Sequence, residues 1–177
     1  MGIAIDKSKM KLAVASKTSI HVFASNKTLA LSYPEKKSRY DQLFIPQVKY
    51  HTGYLDTHEI EFGTNDELYF INTMFSCISI VSADRHFEMY WKPNFITEVL
   101  PEDRCHLNGM AMKNGKPAFV TMFDTTNTYF GWKKTPKETG LLVEVETGKI
   151  LLDQLPMPHS PVYFDDKIYF LLSGTGE

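Results

Sequence analysis

Three stretches of this chain begin on a histidine, pass through two short apolar runs and close on a threonine. They read "HEIEFGTNDELYFINT" at 58–73, "HLNGMAMKNGKPAFVTMFDT" at 106–125 and "HSPVYFDDKIYFLLSGT" at 159–175. The histidines are 48 and 53 residues apart, and Thr73, Thr125 and Thr175 are 52 and 50 apart. A weaker first copy, "GIAIDKSKMKLAVASK", occupies 2–17. This repeat constrains the fold more than any other feature. Each copy must be one supersecondary unit that buries its apolar face only by stacking on its neighbours.

Inside each copy the apolar residues recur with a short period. Runs rich in Val, Ile, Phe and Tyr are broken by turn residues such as "GTND", "KNGK", "ETGK" and "DD". Strands are expected over 2–6, 11–16, 19–24, 46–51, 58–62, 67–73, 77–81, 86–91, 108–113, 117–123, 140–146, 149–154, 160–164 and 166–173. A helix is expected only near 26–34, where Pro34 would end it. After its second strand a unit continues into a third ("CISIV", "GLLVEV") and a fourth ("FEMYW", "KILLDQ"). Four antiparallel strands in about 50 residues is the signature of a β-propeller blade.

The expected fold is therefore all-β: a partial β-propeller of about three and a half four-stranded antiparallel blades. They form a single domain over 1–177, with blades at 1–55, 56–104, 105–156 and an incomplete one at 157–177. Propellers close with roughly four to eight blades. The chain is accordingly expected to be a fragment of a larger propeller, completed by the remaining blades of a full-length chain or by self-association. A β-sandwich with an accidental repeat is the other architecture that suits the alternation.

A net charge of -2 gives no electrostatic case for a nucleic-acid partner or an anionic membrane. Apolar runs such as "LAVAS" and "IYFLL" are far too short to span a bilayer, and "MGIAIDKSKMK" lacks the pattern of a signal peptide. Neither kind of partner is expected, and a cytoplasmic location is. Cys77 and Cys105 make neither a disulfide framework nor a C-x-x-C metal spacing.

The segments "MGIAID", "LAVASKTSIHVFA", "YHTGYLDTHEIEFG", "FINTMFSCISI", "EDRCHLNGMAM" and "MPHSPVYF…LLSGTGE" resemble, in order, an uncharacterised bacterial family. That family is labelled a domain of unknown function and is sometimes found with tetratricopeptide repeats. The resemblance implies a propeller about twice this length and imports no activity. More distantly, "LNGMAM" is similar to the strand start of gluconolactonase-type and strictosidine-synthase-type propellers. In the metal-dependent members an Asn at such a position binds a divalent cation, which here implies Asn108 alone.

In a blade the first strand runs along the centre and the second returns antiparallel. The start of one and the end of the other therefore lie together. This places His58, His106, Asn108 and His159 near Asn72, Thr73, Asp124, Thr125, Ser173 and Thr175. The connection "DTTNTYFGWKKTPKET" at 124–139 should rise from the same end, and Tyr129, Phe130 and Trp132 are placed to line or cover a ligand. Taken singly, a histidine at a strand start more often bonds a backbone carbonyl than a ligand. Three at repeat spacing leave a shared site and a set of turn caps as the two readings.

The expected ligand-binding set is His58, Asn72, His106, Asn108, Asp124, His159 and Thr175. Within it His58, His106, Asn108 and His159 could hold a divalent metal ion. Two function classes fit. One is a binding propeller that takes a small polar ligand or a peptide at the channel mouth. The other is a metal-assisted hydrolase, lactonase or lyase using the same mouth.

Overall fold

A computed structural model describes residues 2–34 and 37–177. Residues 1, 35 and 36, which fall within the range expected for the first blade, lie outside the described residues. Fourteen strands appear among the described residues, each overlapping one expected from the sequence. They are β1 (Ile3–Ile5), β2 (Lys11–Ala15), β3 (Ser19–Ser25), β4 (Phe44–His51), β5 (Ile60–Phe62), β6 (Leu68–Asn72) and β7 (Cys77–Ile80). Then come β8 (Glu88–Trp91), β9 (Leu107–Lys113), β10 (Lys116–Met122), β11 (Gly140–Glu144), β12 (Ile150–Leu155), β13 (Pro158–Phe164) and β14 (Lys167–Leu172). One short helix, α1 (Lys27–Leu31), is capped by the Asn26 side chain, which accepts from the Leu29 N–H at 2.8 Å.

Every strand pairs antiparallel with a chain neighbour, and pairing stops after β4, β8 and β12. The result is three four-stranded sheets, β1–β4, β5–β8 and β9–β12, and a two-stranded one, β13–β14. Successive sheets meet through their inner strands: β1 contacts β5, β6 contacts β9, and β9 contacts β13. The architecture is the partial propeller of three and a half blades expected from the repeat.

Burial follows from the stacking. Three apolar layers fill the three gaps between sheets. Ala13, Ile20, Ile60 and Phe70 occupy the first. Tyr69, Ile71, Ile78, Leu107, Met110, Val120 and Met122 fill the second, and Ala111, Phe119 and Leu142 the third. All five residues of β6 are buried because its sheet is covered on both faces. The last sheet is covered on one. Tyr163, Ile168 and Phe170 pack inward, while Val162, Phe164, Tyr169 and Leu171 alternate with them and are exposed. Tyr169 lies in a second strand, equivalent to the buried Tyr69 and Phe70 of β6. It is 52% exposed because no described residue covers that face.

Gly109 explains half of the "NG" pair. Both residues lie within β9 and make no turn. A Cβ on Gly109 would stand 2.3 Å from Pro161 Cδ and 2.4 Å from Thr121 Oγ1, so its bare backbone is what lets β13 approach. Gly109→Ala is therefore expected to lower the melting temperature by about 3–10 °C, the cost of overpacking a close contact. Thermal denaturation followed by circular dichroism checks this. An unchanged transition would mean the two sheets can separate freely there.

Candidate functional site

Two of the three repeat histidines are held by one local device. Asp56 and Met157 adopt left-handed backbone conformations, with φ of 50° and 53°. Each turns its carbonyl toward the imidazole two residues on. His58 Nδ1 lies 2.9 Å from the Asp56 carbonyl oxygen, and His159 Nδ1 lies 3.0 Å from that of Met157. A carbonyl can only accept, so Nδ1 carries the hydrogen in both rings. A hydroxyl at the end of the returning strand closes the arrangement. Thr73 Oγ1 stands 2.7 Å from His58 Nδ1 and donates to the Leu107 carbonyl at 2.7 Å. Ser173 Oγ stands 2.7 Å from His159 Nδ1 and donates to the Met157 carbonyl at 2.7 Å.

His106 keeps the outcome and changes the means. Its own φ is 50°, and its Nδ1 donates to Asp103 Oδ2 at 3.0 Å. The Trp132 indole N–H donates to the same oxygen at 2.9 Å. Where the other units place a hydroxyl, this one places Phe123, whose ring lies 4.6 Å from that of His106. With Nδ1–H bonded in all three rings, Nε2 is the bare nitrogen whenever the ring is neutral. Among the described residues none of the three Nε2 atoms has a hydrogen-bond partner.

The three rings share one end of their sheets. His58 and His106 meet edge to face at 5.1 Å between centroids. Sheets packed about 10 Å apart let side chains from both faces meet at such a distance. Phe123 stands between the other two, 4.6 Å from His106 and 5.0 Å from His159. Burial pushes the His58 and His159 imidazoles below their ordinary pKa, and the nearby His106 adds to the effect. Glu59, next to His58, accepts from the Met110 N–H of the adjacent sheet, and burial raises it to about 7.

The 124–139 connection is folded rather than loose. Its middle forms a 3-10 turn at Gly131–Lys134. Arg104 pins it: Nη1 donates to Asn127 Oδ1 at 2.7 Å, Nε donates to Glu102 at 2.7 Å, and its carbonyl accepts from Thr126. The Phe130 N–H adds a bond to the Glu102 carbonyl at 2.9 Å. Beside this turn lies a cavity of about 300 Å³ lined by Phe123, Trp132, Lys133, Pro136, Lys137 and Met157. Trp132 lines this cavity, whereas Tyr129 is 63% exposed.

The remaining expected site residues are spread out. Asn72 is buried within its sheet, donating to Ser79 Oγ at 3.3 Å and accepting from the Phe75 N–H. Asn108 accepts from Thr121 at 2.7 Å, and its buried Nδ2 has no partner. Asp124 accepts from the Thr125 N–H at 2.5 Å and from Thr139 at 2.9 Å, closing the base of the 124–139 connection. Thr175 is exposed in a C-terminal turn, its hydroxyl on the Leu172 carbonyl at 3.3 Å. Ser173, two residues earlier, occupies the position opposite His159.

The four groups expected to hold a metal do not gather around one point. Phe123 separates His159 from His106, and Asn108 Oδ1 is already engaged. Among the described residues no group of three or more His, Cys, Asp or Glu is placed to hold an ion. Cys77 and Cys105 are buried thiols, each pushed up to about 12 by burial, which keeps them protonated. Asp103, Arg104 and Phe123 form much of the site and were not singled out from the sequence. The one available signal was the run "DRCH", where a carboxylate precedes the histidine by three positions.

The chain belongs to the family described as a domain of unknown function (DUF4915), whose model matches residues 1–177. No curated protein matches it. Among solved structures, a streptogramin B lyase is similar at a TM-score of 0.50 and 13% identity, with 98% of this chain and 48% of that one covered. A protein of unknown function from Bacteroides thetaiotaomicron VPI-5482 is similar at 0.50 and 13%, covering 96% and 43%. The virginiamycin B lyase from Staphylococcus aureus gives 0.48 and 12%, covering 96% and 47%. The chain spans about half the length of these structures, and the likeness is one of fold. No helix among the described residues is long and apolar enough to cross a membrane.

Two measurements test this geometry. Removing His106 leaves the buried Asp103 carboxylate short of a donor, so His106→Ala is expected to cost about 2–3 kcal/mol. His106→Ala and Asp103→Ala together should cost clearly less than the sum of the two, as read in a double-mutant cycle by urea denaturation. Additive losses would mean the two groups do not interact. The second measurement is pH dependence. The folded-state pKa of His58 and of His159 is lowered, so the unfolded chain takes up their protons first as pH falls below about 6.5. Their contribution is complete above that pH and is lost below it. Glu59 acts oppositely: raised to about 7, it favours the native state at lower pH. Stability measured from pH 8 to pH 5 should therefore fall more for the wild type than for the His58→Gln/His159→Gln variant, and parallel curves would contradict it.

Proposed function

We propose that this chain is a binding domain whose channel mouth, at the shared end of β5, β9 and β13, takes a small polar ligand or a peptide. The observation that carries the reading is the set of three imidazoles, each with Nδ1 bonded internally and Nε2 unbonded. Rings fixed in this way present acceptors, or donors once protonated, without losing side-chain freedom on binding. The Asp103–His106 pair also gives one ring a defined tautomer. The folded 124–139 connection adds a cavity beside them, and concave sites with a few fixed polar groups are the usual form of a ligand pocket.

The metal-assisted hydrolase, lactonase or lyase is the weaker reading. The streptogramin B lyase likeness is one of fold, at 13% identity, and one fold hosts many chemistries. The scattered positions of His159 and Asn108 favour binding over a shared ion.

A thermal-shift screen of small polar compounds at pH 7.5, run beside elemental analysis of protein purified without chelator, tests the proposal. At least one compound is expected to raise the wild-type melting temperature without added metal. The His58→Gln/His159→Gln variant should keep its fold and lose that response. A ligand that stabilises both proteins equally would place binding elsewhere. Stoichiometric metal, with ligand binding abolished by its removal, would favour the second reading.

A further inference from the structure

We infer that the cavity beneath the 3-10 turn selects a flat aromatic carboxylate. The inference rests on the reading of the mouth as a ligand site and names the ligand class. Three observations lead to it. Phe123 and Trp132 meet at 5.4 Å with an interplanar angle of 70°, forming an angled aromatic wall. Pro136 and Met157 supply the rest of the apolar surface, so the body of the ligand must be apolar. A volume of about 300 Å³ accommodates a ligand of one or two fused rings, at the small end of ligand pockets.

The charge comes from the rim. Lys133 and Lys137 both border the cavity. Among the described residues neither has a carboxylate within ion-pair distance. Asp124 is bonded by Thr125 and Thr139, and Asp103 Oδ2 by His106 and Trp132. Lys133 Nζ lies 3.9 Å from the ring centroid of Phe130, outside the cavity lining, and 5.5 Å from that of Trp132 in the wall. Two lysines without a carboxylate partner, bordering an aromatic cavity, suit a ligand with one flat apolar face and one anionic end.

The wall is tied to the histidines. Phe123 packs on His106 and His159, and the Met157 carbonyl accepts from His159 and Ser173. The Met157 N–H donates to the Lys137 carbonyl at 3.1 Å. A ligand seated here would touch Phe123, whose ring packs on two of the mouth histidines.

The test uses 2-naphthoate, its neutral analogue 2-naphthylmethanol and its cationic analogue 2-naphthylmethylamine, with binding to the 177-residue chain read by calorimetry. Naphthoate is expected to bind at one site about tenfold more tightly than the alcohol, with affinity falling as salt is raised. The Lys133→Glu/Lys137→Glu variant alters two exposed side chains, so its melting curve should match the wild type. It should lose naphthoate binding, keep the alcohol and gain the amine. Equal binding of acid and alcohol, or naphthoate binding that survives the charge reversal, overturns the assignment. Failure of all three probes also overturns it. The mouth reading then stands or falls separately, on whether a compound from the thermal-shift screen depends on His58 and His159.

Discussion

Face-to-face packing of small sheets is the constraint on which the rest depends. No four-stranded sheet of this size can bury enough apolar surface alone. The second and third sheets are stable because both of their faces are covered, which is why β6 and most of β9 are wholly buried. Close approach near the centre sets the details. Gly109 has no side chain because Pro161 and Thr121 occupy that space. Side chains of adjacent sheets also meet across the gap, the His58 and His106 rings at 5.1 Å.

Close packing creates a polar problem at the strand ends. Groups such as Asp103, Arg104 and Thr73 are buried and must find partners within the protein. The solution is repeated. A left-handed residue aims its carbonyl at an imidazole, and a hydroxyl from the returning strand closes the triangle. Asp tolerates this conformation better than most residues and occupies it at 56. Arg104 solves a second problem, satisfying Glu102, Asn127 and Thr126 together and thereby fixing a 16-residue connection that would otherwise be free.

The departures from the repeat carry the functional argument. In the third sheet a carboxylate replaces the turn carbonyl and a phenyl ring replaces the hydroxyl. The same sheet carries the long connection with Trp132. One copy of a structural unit has thus been altered at three positions that touch one another, and the cavity lies beside them. Alterations confined to packing would not require an indole N–H and an imidazole to share one buried carboxylate oxygen.

The sequence alone determined the architecture. Periods of two within strands and about 50 between units are properties of the chain itself, and all fourteen strands, their antiparallel pairing and the grouping into blades follow from them. It also determined that His58, His106 and His159 start equivalent strands, because the repeat fixes their register. Tertiary structure decided what those positions meet. The threonine spacing pointed to Thr175, yet Ser173 faces His159, since a two-residue offset is invisible until strands pair. Asn108 turned toward Thr121, and Phe123 came between two histidines, through contacts between sheets that no local pattern encodes. Asp103 and Arg104 sit in a segment with no periodicity, so their roles arise only when a connection 20 residues further on folds back against them.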